Sequence, residues 1–157
     1  MTLNTSRWIC CQLGAREHYA IPRALYSNGC LVALITDAWV NTHSLVSYLP
    51  NARLKERFHS DLSQAKVYHS TSQLIGFELS QKSQKYSRWD LITSRNNWFQ
   101  KRAVRQLKSM VSELTLLENS PVIFAYSYAA LEIFQYAKQQ NWVTVLGQIN
   151  PGPVEEQ

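Results

Sequence analysis

Residues 7–37, RWICCQLGAREHYAIPRALYSNGCLVALITD, decide the fold. Residues 7–13 and 30–36 are short, mostly apolar runs of the kind that is buried in a parallel sheet. Gly14 ends the first run, and residues 20–27 between the runs have the length and composition of a helix. A strand, a helix and a second strand within about 30 residues predict a βαβ unit with a right-handed crossover.

The remainder of the chain continues the alternation of strands and helices. Apolar residues at spacings of three and four predict a long helix that begins near residue 96 and carries Phe99, Ala103, Leu107, Met110 and Leu114 on one side. We also predict short helices over 51–58 and 128–140, strands over 65–70, 121–126 and 142–147, and a polar loop over 80–90. This order predicts an α/β fold: a single Rossmann-like domain over residues 1–157, with a doubly wound parallel sheet and helices on both faces.

The composition is that of a folded globular domain. Of the 157 residues, 45% are hydrophobic and 17% are charged, which disfavours disorder. No apolar run approaches the roughly 18 residues that a transmembrane helix needs. The first residues, MTLNTSRWICC, lack the basic segment and apolar stretch of a signal peptide, so we expect a cytoplasmic protein that is peripheral to a membrane at most.

Metal, redox and hydrolase motifs are absent from the sequence. The three cysteines have no spacing of a disulfide framework, and we expect plain buried thiols, with Cys10 and Cys11 on opposite faces of the first strand. The four histidines lack metal-ligand spacing, so we predict no metal site. No G-x-S-x-G elbow occurs; Ser127 is expected to cap the helix that follows it, or else to contact a ligand.

Three segments follow the carboxyl ends of predicted strands, where ligands bind in open parallel sheets. They are residues 14–19, 37–43 and 126–128. The first segment places polar side chains at a helix N-terminus, which favours an anion such as phosphate, or it is only a tight turn with solvated side chains. Asp37 follows Gly14 at about the spacing of the ribose-binding acid of NAD folds, but the glycines of G-x-G-x-x-G are missing, which argues against a dinucleotide site.

Positive charge is concentrated in one segment of a chain whose formal net charge is +5. Residues 81–108 carry a single acid, Asp90, and eight basic residues: Lys82, Lys85, Arg88, Arg95, Lys101, Arg102, Arg105 and Lys108. These side chains form either a solvated helix face or a patch for anionic lipid headgroups or a charged acceptor. Nucleic acid is disfavoured because the fold matches no common nucleic-acid module. The patch contacts would be Arg95, Lys101, Arg102, Arg105 and Lys108.

The chain resembles the N-terminal domain of bacterial GT-B glycosyltransferases of family 4 type. The resemblance is carried by residues 14–37, GAREHYAIPRALYSNGCLVALITD, and by residues 122–148, VIFAYSYAALEIFQYAKQQNWVTVLGQ. Residues 149–156, INPGPVEE, are similar to the exit toward the interdomain region in cyanobacterial-looking members. The patterns extend over essentially the whole chain.

This resemblance implies transfer of a sugar from a nucleotide-sugar donor to an acceptor that this domain holds. It points to His18 as the catalytic residue. The substrate-binding residues would be Gly14, Ala15, Arg16, Glu17, Asp37, Tyr126, Ser127 and Tyr128. Many members carry a histidine near the start of the helix after the later strand, where this sequence has Tyr126, Ser127 and Tyr128.

The family binds the nucleotide sugar mainly in a second, C-terminal domain that contains two glutamates separated by seven residues. We therefore expect no cofactor on this domain alone, and a donor-binding domain or chain as its partner. As a truncated acceptor half, the chain would be inactive by itself. The alternative is a non-catalytic binding or interaction module of Rossmann-like fold, whose basic patch binds anionic lipid or another anionic partner.

Overall fold

A five-stranded parallel sheet forms the centre of the computed structural model, which describes residues 6–40, 56–82, 87–117 and 119–149. Its strands are β1 (Trp8–Gln12), β2 (Leu31–Thr36), β3 (Val67–His69), β4 (Val122–Tyr126) and β5 (Val143–Gly147). Their order across the sheet is β3-β2-β1-β4-β5, and every neighbouring pair is parallel. The predicted parallel sheet and all five predicted strands are confirmed.

In the described part of the chain, four α-helices and three short 3-10 turns connect the strands. The helices are α1 (Ala20–Ser27), α2 (Thr71–Lys82), α3 (Arg88–Leu114) and α4 (Leu131–Gln139). The 3-10 turns are Arg16–Tyr19, Ser60–Leu62 and Ser127–Ala129. Helix α1 has the predicted bounds. Pro22 lies in its first turn, where the backbone N–H groups have no partner within the helix, so a proline there removes no hydrogen bond.

The core has a layer on each side of the sheet, as predicted for helices on both faces. One layer joins Ile9, Cys11 and Ile123 to apolar residues of α3 and α4. The opposite layer joins Cys10 to Tyr19 and to residues of α1 and the Ser60–Leu62 turn. Because successive side chains of a strand point to opposite faces, the adjacent cysteines lie in different layers, as the sequence predicted.

Helix α3 is longer than its apolar pattern predicted. It begins at Arg88 rather than near residue 96, because a capping box stabilises its N-terminus: Ser87 Oγ accepts from the Asp90 N–H and the Asp90 carboxylate accepts from the Ser87 N–H. The spacing of Ser87 and Asp90 was the sequence signal for this start. Its apolar stripe was predicted correctly, since Phe99, Ala103 and Leu107 are buried.

Other predictions about the connections were wrong. Helix α2 was not predicted, because its apolar residues do not repeat as a single stripe, and the predicted loop over 80–90 is helical at both of its ends. Ser127 does not cap α4; it opens the Ser127–Ala129 turn, and the cap residue Ala130 has no side-chain bond. The predicted helix over 51–58 falls largely outside the described residues.

In the described part of the chain, no helix combines the length and apolarity needed to cross a bilayer.

Burial of the cysteines predicts selective thiol reactivity. Burial raises the pKa of Cys11 to about 12 and the pKa of Cys10 well above its usual value, so both thiols stay protonated and unreactive at pH 8. Cys30 is only half-buried. With an aromatic disulfide reagent, the native chain should release one equivalent of thionitrobenzoate, from Cys30. After unfolding, it should release three equivalents, one for each cysteine. Rapid modification of all three in the folded chain would contradict this burial.

Candidate functional site

The topology opens a crevice at the carboxyl edge of the sheet. From β1 the chain crosses to β2 on one side, and from β4 it crosses to β5 on the other side. The loops that follow β1 and β4 therefore diverge, and ligands of open α/β sheets bind at such a switch point. The predicted segments 14–19 and 126–128 are these two loops, so the structure brings them together.

The loop after β1 adopts an unusual backbone conformation. Glu17, His18 and Tyr19 have φ angles of 50°, 48° and 60°, which is three consecutive left-handed residues without a glycine among them. Each such residue costs on the order of 1 kcal/mol relative to a right-handed conformation. Strain of this kind persists only where surrounding contacts determine the backbone, and it concentrates at functional sites.

Hydrogen bonds from β1 and from the loop after β4 hold this loop. The side chain of Gln12 is fully buried, and its Nε2 donates to the carbonyl oxygens of Gly14 and Arg16, each at 3.1 Å. Tyr128 Oη donates to the Leu13 carbonyl at 2.8 Å, which ties the loop after β4 to the loop after β1. Because these contacts tie the loop down at several points, its shape is set without a ligand.

Asp37 is the centre of this network and is fully buried at the end of β2. Its Oδ1 accepts from the Gly14 N–H at 3.0 Å and from Arg57 Nη1 at 2.9 Å, while its Oδ2 accepts from Arg95 Nη2 at 2.8 Å. One carboxylate therefore connects β2, the loop after β1, the segment before β3 and helix α3. Asp37 positions the loop and has no surface of its own to offer a ligand.

Gly14 is required beside this carboxylate for two reasons. Its φ of 85° is a conformation that other residues rarely adopt. In addition, a β-carbon at this position would lie 2.8 Å from Arg57 Nη1 and would displace the guanidinium from Asp37. The sequence placed a glycine at a sharp turn here, but the contact with Arg57 could not be predicted. A buried aspartate at a strand end signals a cationic partner; only the fold shows which arginines supply it.

Two aromatic rings of the loop after β4 lie beside the loop after β1. The rings of Tyr126 and Tyr128 are stacked, with 6.1 Å between centroids and 4° between planes, and the Arg16 guanidinium lies 5.7 Å from the centroid of the Tyr126 ring. Burial raises the pKa of Tyr128 to about 12 and also raises the pKa of Tyr126, so both hydroxyls stay protonated at neutral pH. The two tyrosine rings are thus neutral, and the Arg16 guanidinium lies over one of them.

Four polar residues of these two loops are exposed. They are Arg16, Glu17, His18 and Ser127, whereas Ala15 is partly buried and packs against the layer that contains Tyr19. The exposed side chains comprise a cation, a carboxylate, an imidazole and a hydroxyl. Among the described residues, no group of three or more histidine, cysteine or acidic side chains could hold a metal ion.

The five basic residues predicted as one patch lie in four different environments. Arg95 is bound to Asp37. Lys108 lies 5.6 Å from the centroid of the Tyr136 ring on α4, and Lys101 is exposed. Arg102 and Arg105 line a cavity between α3 and the ends of β2 and β3. This last pair shares a concave surface.

Comparison with known proteins gives no match for this chain, whether to a protein-family model, to a curated protein or to a solved structure. The chemistry of the carboxyl edge is therefore inferred from the residues that form it.

Removing the buried charge tests the role of Asp37. We expect Asp37→Asn to lower the free energy of unfolding by about 3 kcal/mol, because two guanidinium groups lose their buried partner. Asp61→Asn is the matched control, since Asp61 pairs with Arg23 at the surface, with side-chain exposures of 51% and 34%, and such pairs contribute little. Urea unfolding measures both variants, and equal losses would show that Asp37 is not a structural centre.

Glycine at position 17 tests the strain in the loop. Since glycine adopts left-handed angles freely, Glu17→Gly should be neutral or raise the free energy of unfolding by up to about 1 kcal/mol. The control Gln135→Gly, at an exposed position inside α4, should lower it by about 1 kcal/mol. Calorimetric unfolding gives the comparison; a loss at position 17 as large as at position 135 would refute a strained backbone there.

Proposed function

We propose that this domain binds the acceptor in a sugar transfer, as the acceptor-side domain of a GT-B-type glycosyltransferase. The crevice between the loops after β1 and β4 is the acceptor site, and a second domain would bind the nucleotide-sugar donor. The observation that carries the proposal is the left-handed turn over Glu17, His18 and Tyr19, held in place at the switch point of the sheet.

A loop that is shaped in advance favours binding at this edge. Gln12, Asp37 and Tyr128 order the loop before a ligand arrives, so a ligand does not bear the entropic cost of ordering it. The same bonds occupy backbone groups of Leu13 and Gly14, so these groups are not free to bind a ligand. Recognition is therefore left to exposed side chains, of which Arg16 and His18 are the best placed.

The composition of the crevice suits a sugar-containing acceptor. Small-molecule sites are lined mainly by apolar and aromatic side chains, with a few polar groups that fix orientation. Tyr126 and Tyr128 supply the aromatic surface, and Arg16, Glu17 and Ser127 supply donors and acceptors for hydroxyl groups. His18 has a ring nitrogen that could take the proton of an acceptor hydroxyl as a general base.

A dinucleotide site is a weaker interpretation of the same edge. The loop after β1 has a single glycine, Gly14, and that glycine donates its N–H to Asp37. The carboxylate that would contact a ribose in an NAD fold is fully buried and bonded to two arginines. Neither a close approach of pyrophosphate to the backbone nor an acid for the ribose is available here.

Glycan binding by the isolated chain tests the proposal. We expect binders on a glycan array, and a binder titrated into ¹⁵N-labelled chain should shift the amides of residues 14–19 and 126–128. Arg16→Ala and His18→Ala should each weaken the binding at least tenfold. Lys138→Ala removes an exposed charge near the end of α4, at the opposite edge of the sheet, and should leave the affinity unchanged.

Titration with nucleotides distinguishes an acceptor-binding domain from a dinucleotide-binding domain. UDP-glucose and NAD, titrated separately, should leave the amides of residues 14–19 unshifted. Saturable binding of either nucleotide there with a Kd below about 1 mM would contradict the proposal, as would an array without a binder.

A further inference from the structure

We propose that the cavity between α3 and the ends of β2 and β3 is a second site, which binds a small oxyanion such as a phosphate group. Its volume is about 230 Å³. That is the space of roughly seven or eight waters at liquid density, and it lies below the range of drug-sized ligands. A phosphate on a small carbon skeleton fits this size. The site does not depend on the proposed glycan site, because it lies on other side chains.

The lining has positive charge and hydrogen-bond donors but no acid. Arg102 and Arg105 contribute guanidinium groups from successive turns of α3, and none of the ten lining residues has a carboxyl group. Ser70 at the end of β3 and Gln106 and Ser109 of α3 also line the cavity, whereas the Thr36 hydroxyl donates to Asp37 Oδ1 at 3.3 Å. Guanidinium and hydroxyl donors that converge on one space are the groups that bind phosphate oxygens.

The nearby acids are already paired with other cations. Asp37 is bound to Arg57 and Arg95, and Glu113 on α3 is bound by Lys66 Nζ at 2.6 Å. Among the described residues, no carboxylate forms an ion pair with Arg102 or Arg105. Two guanidinium groups in one cavity without a counter-charge favour an anion from solution.

Arg102 is held in place by an aromatic stack. Its guanidinium lies 5.8 Å from the centroid of the Trp98 ring, and Trp98 stacks on Phe77 of α2 at 5.4 Å between centroids. Cation–π contact of this kind restrains a side chain that would otherwise move freely at a surface. The position of Arg102 is thus set independently of any ligand.

Phosphate titration tests the site. Inorganic phosphate and glucose 6-phosphate, each titrated into ¹⁵N-labelled chain at constant ionic strength, should shift the amides around residues 36, 69–70 and 102–106. Arg102→Gln and Arg105→Gln should each weaken binding at least tenfold, and the double variant should abolish it. Arg88→Gln is the matched control, because it makes the same change at an exposed position of α3, about 21 Å away along the helix axis.

Thermal unfolding checks that each variant folds, and a second arm identifies the source of the phosphate. If the chain floats with phosphatidylglycerol vesicles and free phosphate inhibits this flotation, the ligand is a lipid headgroup. If the chain binds the soluble phosphates but does not float with the vesicles, the ligand is a soluble metabolite. Either result supports the oxyanion site. Equal affinities of Arg105→Gln and Arg88→Gln, or no saturable phosphate binding at a Kd below about 10 mM, would overturn it.

Discussion

The buried carboxylate of Asp37 is the interaction on which the carboxyl edge of this domain depends. A fully buried charge is tolerated only where cations and hydrogen-bond donors compensate for lost hydration. Asp37 meets this requirement with Arg57, Arg95 and the Gly14 N–H, which come from three separate parts of the chain. The need to satisfy one charge therefore fixes the relative positions of the loop after β1, the segment before β3 and helix α3.

This network explains how the loop after β1 can hold three left-handed residues. The strained turn begins three residues after Gly14, whose N–H is bound to Asp37 and whose carbonyl is bound to Gln12. Tyr19 at the end of the turn is fully buried, so the loop is held at both of its ends. The exposed residues between them, Glu17 and His18, are presented to solvent in a fixed geometry, which is the arrangement that a binding site requires.

The same network divides the basic residues of α3 between structure and surface. Arg95 is used to neutralise Asp37, whereas Arg102 and Arg105, about two and three turns further along the helix, face a cavity without an acid. Two neighbouring regions of one edge thus differ in chemistry. The crevice at β1 and β4 is aromatic with a mixed polar rim, and the cavity at β2 and β3 is cationic.

The sequence alone determined the order and kind of most elements, because buried parallel strands are short apolar runs and α3 has a regular apolar stripe. It also located the carboxyl edge of the sheet, since the end of each predicted strand is visible in the chain. Helix α2 escaped prediction because its contacts, such as Leu74 against Ala38 and Val40, do not form a repeating pattern. Only the tertiary structure decided that Arg57 and Arg95 pair with Asp37, that Gln12 and Tyr128 hold the first loop, and that Arg102 and Arg105 share a cavity. The contacts of Asp37 with its two arginines and of Tyr128 with Leu13 join residues 20 to 115 positions apart. Local propensity and spacing carry no information about partners that meet only when the sheet has formed.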